Sequence, residues 1–150
     1  MRHNIKSLLL AVCIGGSLAC TPVMANDDAP EYLGANPDMP FSDAVKVGNT
    51  LYLTGKLGIV PGTRALAEGG IGPETRQTME NIKTSVQRHG SSMDQVVKCT
   101  VFLADIGEWA AMNEVYKTYF PTNKPARSAI GVNGLALDAR VEIECIATLD

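Results

Sequence analysis

Two residues of this 150-residue chain are of a type and in a setting that could do chemistry. Arg127 follows Pro125-Ala126 at the entrance to a segment that reads as a β-strand. Proline pre-sets the backbone there, and a rigidly placed guanidinium can hold a carboxylate or phosphate through two parallel hydrogen bonds. The plainer reading is a surface arginine in a weak salt bridge. Glu142 lies in the last predicted strand, where Val141, Ile143 and Cys145 alternate with Glu142, Glu144 and Ile146. A carboxylate on the face turned from the core can orient water or accept a proton, and the plainer reading is a solvated strand face. Neither residue names a reaction by itself.

Residues 1–25 read as an export signal rather than as fold. Arg2 and Lys6 make a basic start, an uncharged apolar run extends from Leu8 to about Val23, and Val23-Met24-Ala25 precedes polar Asn26-Asp27-Asp28. Basic, apolar, small-x-small is the order of a secretory signal peptide, and the run is short for a spanning helix, which takes about 20 residues. Cleavage after Ala25 sends the product to the periplasm or outside the cell. An uncleaved anchor ranks below this, as does a lipoprotein attached through Cys20. Ser17-Leu18-Ala19-Cys20 has Ser where a lipobox wants Leu.

Cleavage removes Arg2 and Lys6 but no acid, so the net charge moves from −3 to −5. An acidic product without a basic cluster is a poor ligand for nucleic acid or anionic lipid. The cysteines left are Cys99 and Cys145, and the histidine left is His89. Zinc sites of the Cys/His kind, and Ser-His-Asp or Cys-His nucleophiles, are therefore not expected. Cys99 and Cys145 both fall in predicted strands and could form one disulfide in an oxidising compartment. The preferred reading makes each a small buried hydrophobe. His89, in Arg88-His89-Gly90, reads as a side chain serving the last carbonyls of a helix.

The elements that position these residues form one α+β domain. Residues 26–39 are a polar, proline-bearing extended segment, and 40–150 make the domain. Ala44–Val47 and Thr50–Gly55 flank Gly48-Asn49 as a hairpin, and five glycines and two prolines in 58–73 make a loop. Pro73 opens a helix to about Arg88, with Glu74 serving its dipole and Met79, Ile82 and Val86 on one stripe. A strand follows from Gln95 to Leu103. Asp105 caps a second helix to about Phe120, with Trp109, Met112, Tyr116, Tyr119 and Phe120 as its inner face. Strands at Ser128–Val132 and Arg140–Leu149 complete the order β-β-α-β-α-β-β. Both helices can cover one face of a mixed sheet, leaving the other face in need of a partner.

Several blocks from about Pro40 to Ala147 resemble the RidA family (YjgF/YER057c/UK114) of enamine/imine deaminases. They are Val47-Gly48-Asn49-Thr50-Leu51-Tyr52-Leu53-Thr54-Gly55, Gln77–Lys83, Val97–Leu103, Met112–Tyr116, Pro125-Ala126-Arg127-Ser128 and Val141–Ala147. The specific part is the Pro-Ala-Arg-Ser block followed by the Val-Glu-Ile-Glu strand. The resemblance implies a chorismate-mutase-like α+β fold and a homotrimer with clefts at the subunit interfaces, the free sheet faces lining a central barrel. It implies hydrolysis of 2-imino acids, such as 2-iminopropanoate and 2-iminobutanoate, to 2-oxo acids and ammonia, with no metal or organic cofactor. Arg127 would hold the substrate carboxylate, with backbone amides near Gly55 as further donors. Glu142 would hold the attacking water, with a carbonyl near Ala129 as a second acceptor. Asn113 and Thr54 match polar positions near the site.

The chain departs from that pattern at three points. Phe41 stands where the family commonly has Tyr, Ala129 where many members have Cys, and Lys56 where Gln is common. The alternative reading is a non-catalytic trimeric binder of small carboxylates using the same Arg127 cleft. Ribonuclease activity, sometimes ascribed to the family, is opposed by the charge of −5 and the lack of a histidine pair.

Overall fold

The computed structural model describes residues 29–150, so the predicted signal segment 1–25 and Cys20 lie outside the described residues. Short runs of β-favouring residues, punctuated by Gly, Asn and Pro, form seven strands. They are β1 (Glu31–Leu33), β2 (Ala44–Val47), β3 (Thr50–Leu53), β4 (Lys56–Leu57), β5 (Val96–Leu103), β6 (Ala126–Gly131) and β7 (Val141–Thr148). Two helices, α1 (Ile71–Arg88) and α2 (Trp109–Tyr116), complete the set. The strands form one mixed sheet in the order β1-β2-β3-β7-β5-β6, with β4 also paired to β7. Only β5 and β6 run parallel, and α2 lies in the crossover between them. The expected α+β sheet with two helices is present, and β1 extends it into the segment read as a lead-in.

Met79, Ile82 and Val86 of α1 pack into one core with Val101, Leu103, Val141, Ile143 and Ala147, all fully buried. Helix α1 begins at Ile71, before the predicted Pro73, which still falls in the first turn, where a missing N–H costs nothing. Glu74 does more than face the helix dipole. It is buried, and its carboxylate accepts the backbone N–H groups of Arg140 at 2.7 Å and Val141 at 3.3 Å, docking the start of β7 onto the helix.

The second helix is shorter than expected. Asp105 caps a 3₁₀ turn (Ile106–Glu108), accepting from the Gly107 N–H at 2.8 Å; the α-helical part starts at Trp109 and ends in a second 3₁₀ turn (Lys117–Tyr119). Met112, Tyr116 and Phe120 are buried as expected, but Trp109 is 42% exposed. As the first α-helical residue it stands at the rim rather than on the inner face.

The preferred reading of the cysteines is also corrected. Cys99 and Cys145 are direct partners across β5 and β7, their Cα atoms 4.1 Å apart, and they form a disulfide. The pleat puts both on the core face of the same rung. The bridge closes a loop with a sequence separation of 46, for which restriction of the unfolded chain gives about 2–4 kcal/mol of stabilisation. Denaturant unfolding of the Cys99→Ala/Cys145→Ala variant should show a loss of that size. Reductant should destabilise the wild type comparably and leave the double variant unmoved; equal wild-type midpoints with and without reductant would contradict the bridge.

Candidate functional site

Arg127 lies on β6, the edge strand, where Pro125 and the parallel pairing with β5 set its backbone. The register places it opposite Cys99 and places Ala129 opposite Val101, both on the helix-covered side of the sheet. Nη1 of Arg127 donates to Oδ1 of Asn113 at 2.8 Å. The guanidinium carbon stands 4.6 Å from the centroid of Tyr116 and 5.7 Å from that of Trp109. Cation–π contact of this kind holds the charge in place while leaving N–H groups free to donate. Among the described residues no carboxylate forms a salt bridge with Arg127. Asn113, Tyr116, Lys117, Phe120, Lys124, Pro125 and Arg127 line a hollow of about 260 Å³. Burial pushes the Tyr116 phenol up to about 12, against the pull of Arg127, so the ring stays neutral. Its hydroxyl is buried without a hydrogen-bond partner.

Glu142 belongs to the opposite face. It is the register partner of Phe102, and Glu144 that of Thr100, while Val141, Ile143 and Cys145 between them fill the core. Its carboxylate sits directly over the Cα of Gly55, where any Cβ would collide with Oε1 and Cδ. Gly55 therefore breaks the expected strand: β3 stops at Leu53, and the chain rejoins β7 at Lys56–Leu57 as β4. Burial first, and then the neighbouring negative charge of Glu144, raise the Glu142 pKa above its ordinary value. Thr54 and Phe41 line a third feature, a mostly apolar groove of about 560 Å³ bounded also by Tyr32, Met39 and Tyr52.

One chain thus brings Arg127 together with Asn113, Gly55 with Glu142, and Phe41 with Thr54, but it does not unite the three groups. Arg127 and Glu142 are two strands and three residues apart, about 14 Å between Cα atoms, on opposite faces. His89 is also placed differently from the sequence reading. Its Nε2 lies 2.7 Å from the Asp43 carboxylate instead of serving the last carbonyls of α1. Among the described residues no group of three His, Cys, Asp or Glu side chains is arranged to hold a metal ion. Sequence reading missed Asn81, whose side-chain amide donates to the carbonyls of Leu57 and Ile59, both at 2.9 Å, and so fixes β4 against α1. It lies in a quoted block, but nothing local marks its distant partners.

The sequence profile described as Endoribonuclease L-PSP matches residues 34–149. The chain belongs to the RidA family. It is 40% identical over 125 residues to the 2-iminobutanoate/2-iminopropanoate deaminase of Rattus norvegicus, covering 83% of this chain and 88% of that one. Among solved structures, a protein of the conserved Rid family from Yersinia pestis, YyfA, matches with a TM-score of 0.75 and 34% identity, over 81% of this chain and all of that one. E. coli TdcF with bound serine matches with a TM-score of 0.71 and 31% identity, over 79% and 94%. The RidA-type fold is therefore present.

The raised pKa of Glu142 has a consequence for stability. The folded chain holds that proton more firmly than the unfolded chain does. Its contribution is thus full below the unfolded value and is lost as pH rises through the folded one. Glu142→Gln should match wild type in acid and become the more stable protein as pH rises through that window. Urea titrations at a series of pH values measure this, and a difference that does not grow with pH would contradict it.

Proposed function

We propose that this RidA-family protein is an exported imine deaminase, hydrolysing 2-imino acids to 2-oxo acids and ammonia in clefts between the subunits of a homotrimer. The observation that carries the reading is Arg127, oriented by Asn113 and the Tyr116 ring in an open hollow without an acidic partner. That is a preformed receptor for a small carboxylate. The deaminase named among the relatives, and serine in the TdcF structure, support it.

The chemistry requires little beyond positioning. Water adds to the imine carbon as Glu142 takes one of its protons. With the imine protonated, this gives a neutral aminoalcohol. Glu142 returns its proton to the nitrogen, and the C–N bond breaks to release ammonia as the hydroxyl proton passes back to the Glu142 carboxylate, leaving the 2-oxo acid. A carboxylate above its usual pKa is a better proton acceptor than an exposed glutamate. A neighbouring copy brings Arg127 of one chain to Glu142 and Gly55 of the next, because a single chain holds them on opposite faces. The exposed Tyr52 and Ile130, on the uncovered sheet face, then become interface. The Cys99–Cys145 bridge suits an oxidising compartment, in keeping with the signal segment. The ribonuclease in the profile's description finds no support in an acidic chain whose one histidine outside the signal segment is committed to Asp43.

The test generates the imine with an amino-acid oxidase and follows its disappearance. Arg127→Ala and Glu142→Gln should each lose about a hundredfold or more in kcat/KM. Refolding the two inactive variants together should restore about a quarter of wild-type activity, the statistical share of clefts with one intact contribution from each chain. No restoration would place both residues in the same chain's cleft. No wild-type turnover, with small carboxylates still binding, would leave the non-catalytic binder.

The export half of the proposal is read separately. N-terminal sequencing of the protein recovered from the periplasm or medium should begin at Asn26. Cytoplasmic retention of the full chain would reject it.

A further inference from the structure

Asp43 sits at the centre of a half-buried polar cluster that the proposed chemistry does not use. Its carboxylate accepts from Ser85 Oγ at 2.8 Å, is bonded to Nε2 of His89 at 2.7 Å, and pairs directly with the Lys56 ammonium. Arg88 lies farther off, at 3.8 Å and largely exposed. Burial acts to raise the Asp43 pKa, but the hydrogen bonds from Lys56, Ser85 and His89 outweigh it and hold the group at about 2. The turn after β1 closes over the pair. Gly34 has φ +62° and lies so near the Asp43 Cβ and the His89 ring that a side chain there would meet both.

The cluster is placed to act at a distance. Asp43 grips the segment Thr54-Gly55-Lys56 at both ends, its backbone carbonyl accepting the Thr54 N–H at 3.2 Å and its carboxylate taking Lys56. Between those two points lies Gly55, pressed under the Glu142 carboxylate. Ser85 and His89 tie the arrangement to the C-terminal end of α1, a rigid element. Phe41 and Ser42, immediately before Asp43, wall the groove that Thr54 also lines.

We infer that Asp43, with Lys56 as its counter-ion, is the positioning residue for Gly55. It fixes the floor on which the Glu142 carboxylate rests, and with it the place of the attacking water. This rests on the deaminase reading for its kinetic arm only. A displacement of about 1 Å in such a group can cost as much as a hundredfold in rate, whereas Arg127, which secures the substrate, is untouched. The signature is therefore a fall in kcat larger than any rise in KM.

The experiment compares Asp43→Asn, Lys56→Gln and the double Asp43→Asn/Lys56→Gln variant with wild type, by oxidase-coupled kinetics and by amide hydrogen exchange. Asp43→Asn strands the Lys56 ammonium, and should lower kcat about tenfold or more, by a larger factor than it raises KM. The Thr54 amide, bonded to the Asp43 carbonyl, and the Lys56 amide should exchange about tenfold faster, while those of β7 stay protected. The double variant replaces the ion pair with an uncharged amide pair and should recover most of both losses. If Asp43→Asn fails to fold, Lys56→Gln carries the same two readouts. An active wild type whose folded variants keep kcat and Thr54 exchange would overturn the inference, as would a uniform loss of protection with no recovery in the double variant. An inactive wild type would sink the deaminase reading instead, and the exchange arm would still decide the role of Asp43.

Discussion

Every second side chain of β7 is buried against the helices, and the strand pairs with β3, β4 and β5. A strand held from both sides cannot slip by one residue without turning its whole apolar set to solvent. That constraint decides where Glu142 points. With Val141, Ile143, Cys145 and Ala147 committed to the core, Glu142 and Glu144 have only the other face. The disulfide adds a covalent rung at Cys145, and Glu74 satisfies the amides at the start of the strand. The face on which the carboxylate stands follows from packing, and Gly55 beneath it sets where on that face it rests.

Arg127 is placed by a different logic. It stands on an edge strand, where one side of the backbone is unpaired and the side chain reaches past the sheet to α2. Asn113 and Tyr116 lie three positions apart on that helix and so share a face, which is enough to hold a planar cation in one orientation. The two halves of the proposed site therefore belong to two rigid units facing opposite ways. Self-association would turn that opposition into a composite cleft, and would cover an uncovered sheet face carrying Tyr52 and Ile130.

Much of this was legible in the sequence because it is local. The Gly48-Asn49 turn, the Asp105 cap, the stripe of Met79, Ile82 and Val86 and the alternation along β7 are each written in neighbouring residues. Arg127 and Glu142 stood out by residue type and setting, and the family resemblance gave them roles. What escaped depends on partners far away in the chain. His89 looked like a helix-end residue because its partner Asp43 is 46 positions distant, and Glu74 like a dipole residue because the amides it accepts are 66 and 67 positions away. Trp109 was misplaced because it is the first residue of α2, at the rim beside Arg127, and periodicity alone does not register where a helix runs off the core. Cys99 and Cys145 needed the strand register before they could be paired.

The two carboxylates nearest Gly55 are treated in opposite ways. Asp43 is surrounded by donors and a cation, which outweigh its burial and leave it a fixed anion at about 2. Glu142 is buried to a similar extent and, among the described residues, has the negative charge of Glu144 beside it, so burial first and then that charge hold its proton more tightly than usual. Environment alone separates them, since their intrinsic acidities are close. A fixed anion is suited to holding backbone in place, because no change of pH near neutrality removes its charge. A carboxylate left without donors is suited to accepting a proton, because its charge is poorly satisfied until it does so. Gly55, with Asp43's hold on one side and Glu142 on the other, is where the rigid anion and the reactive one meet.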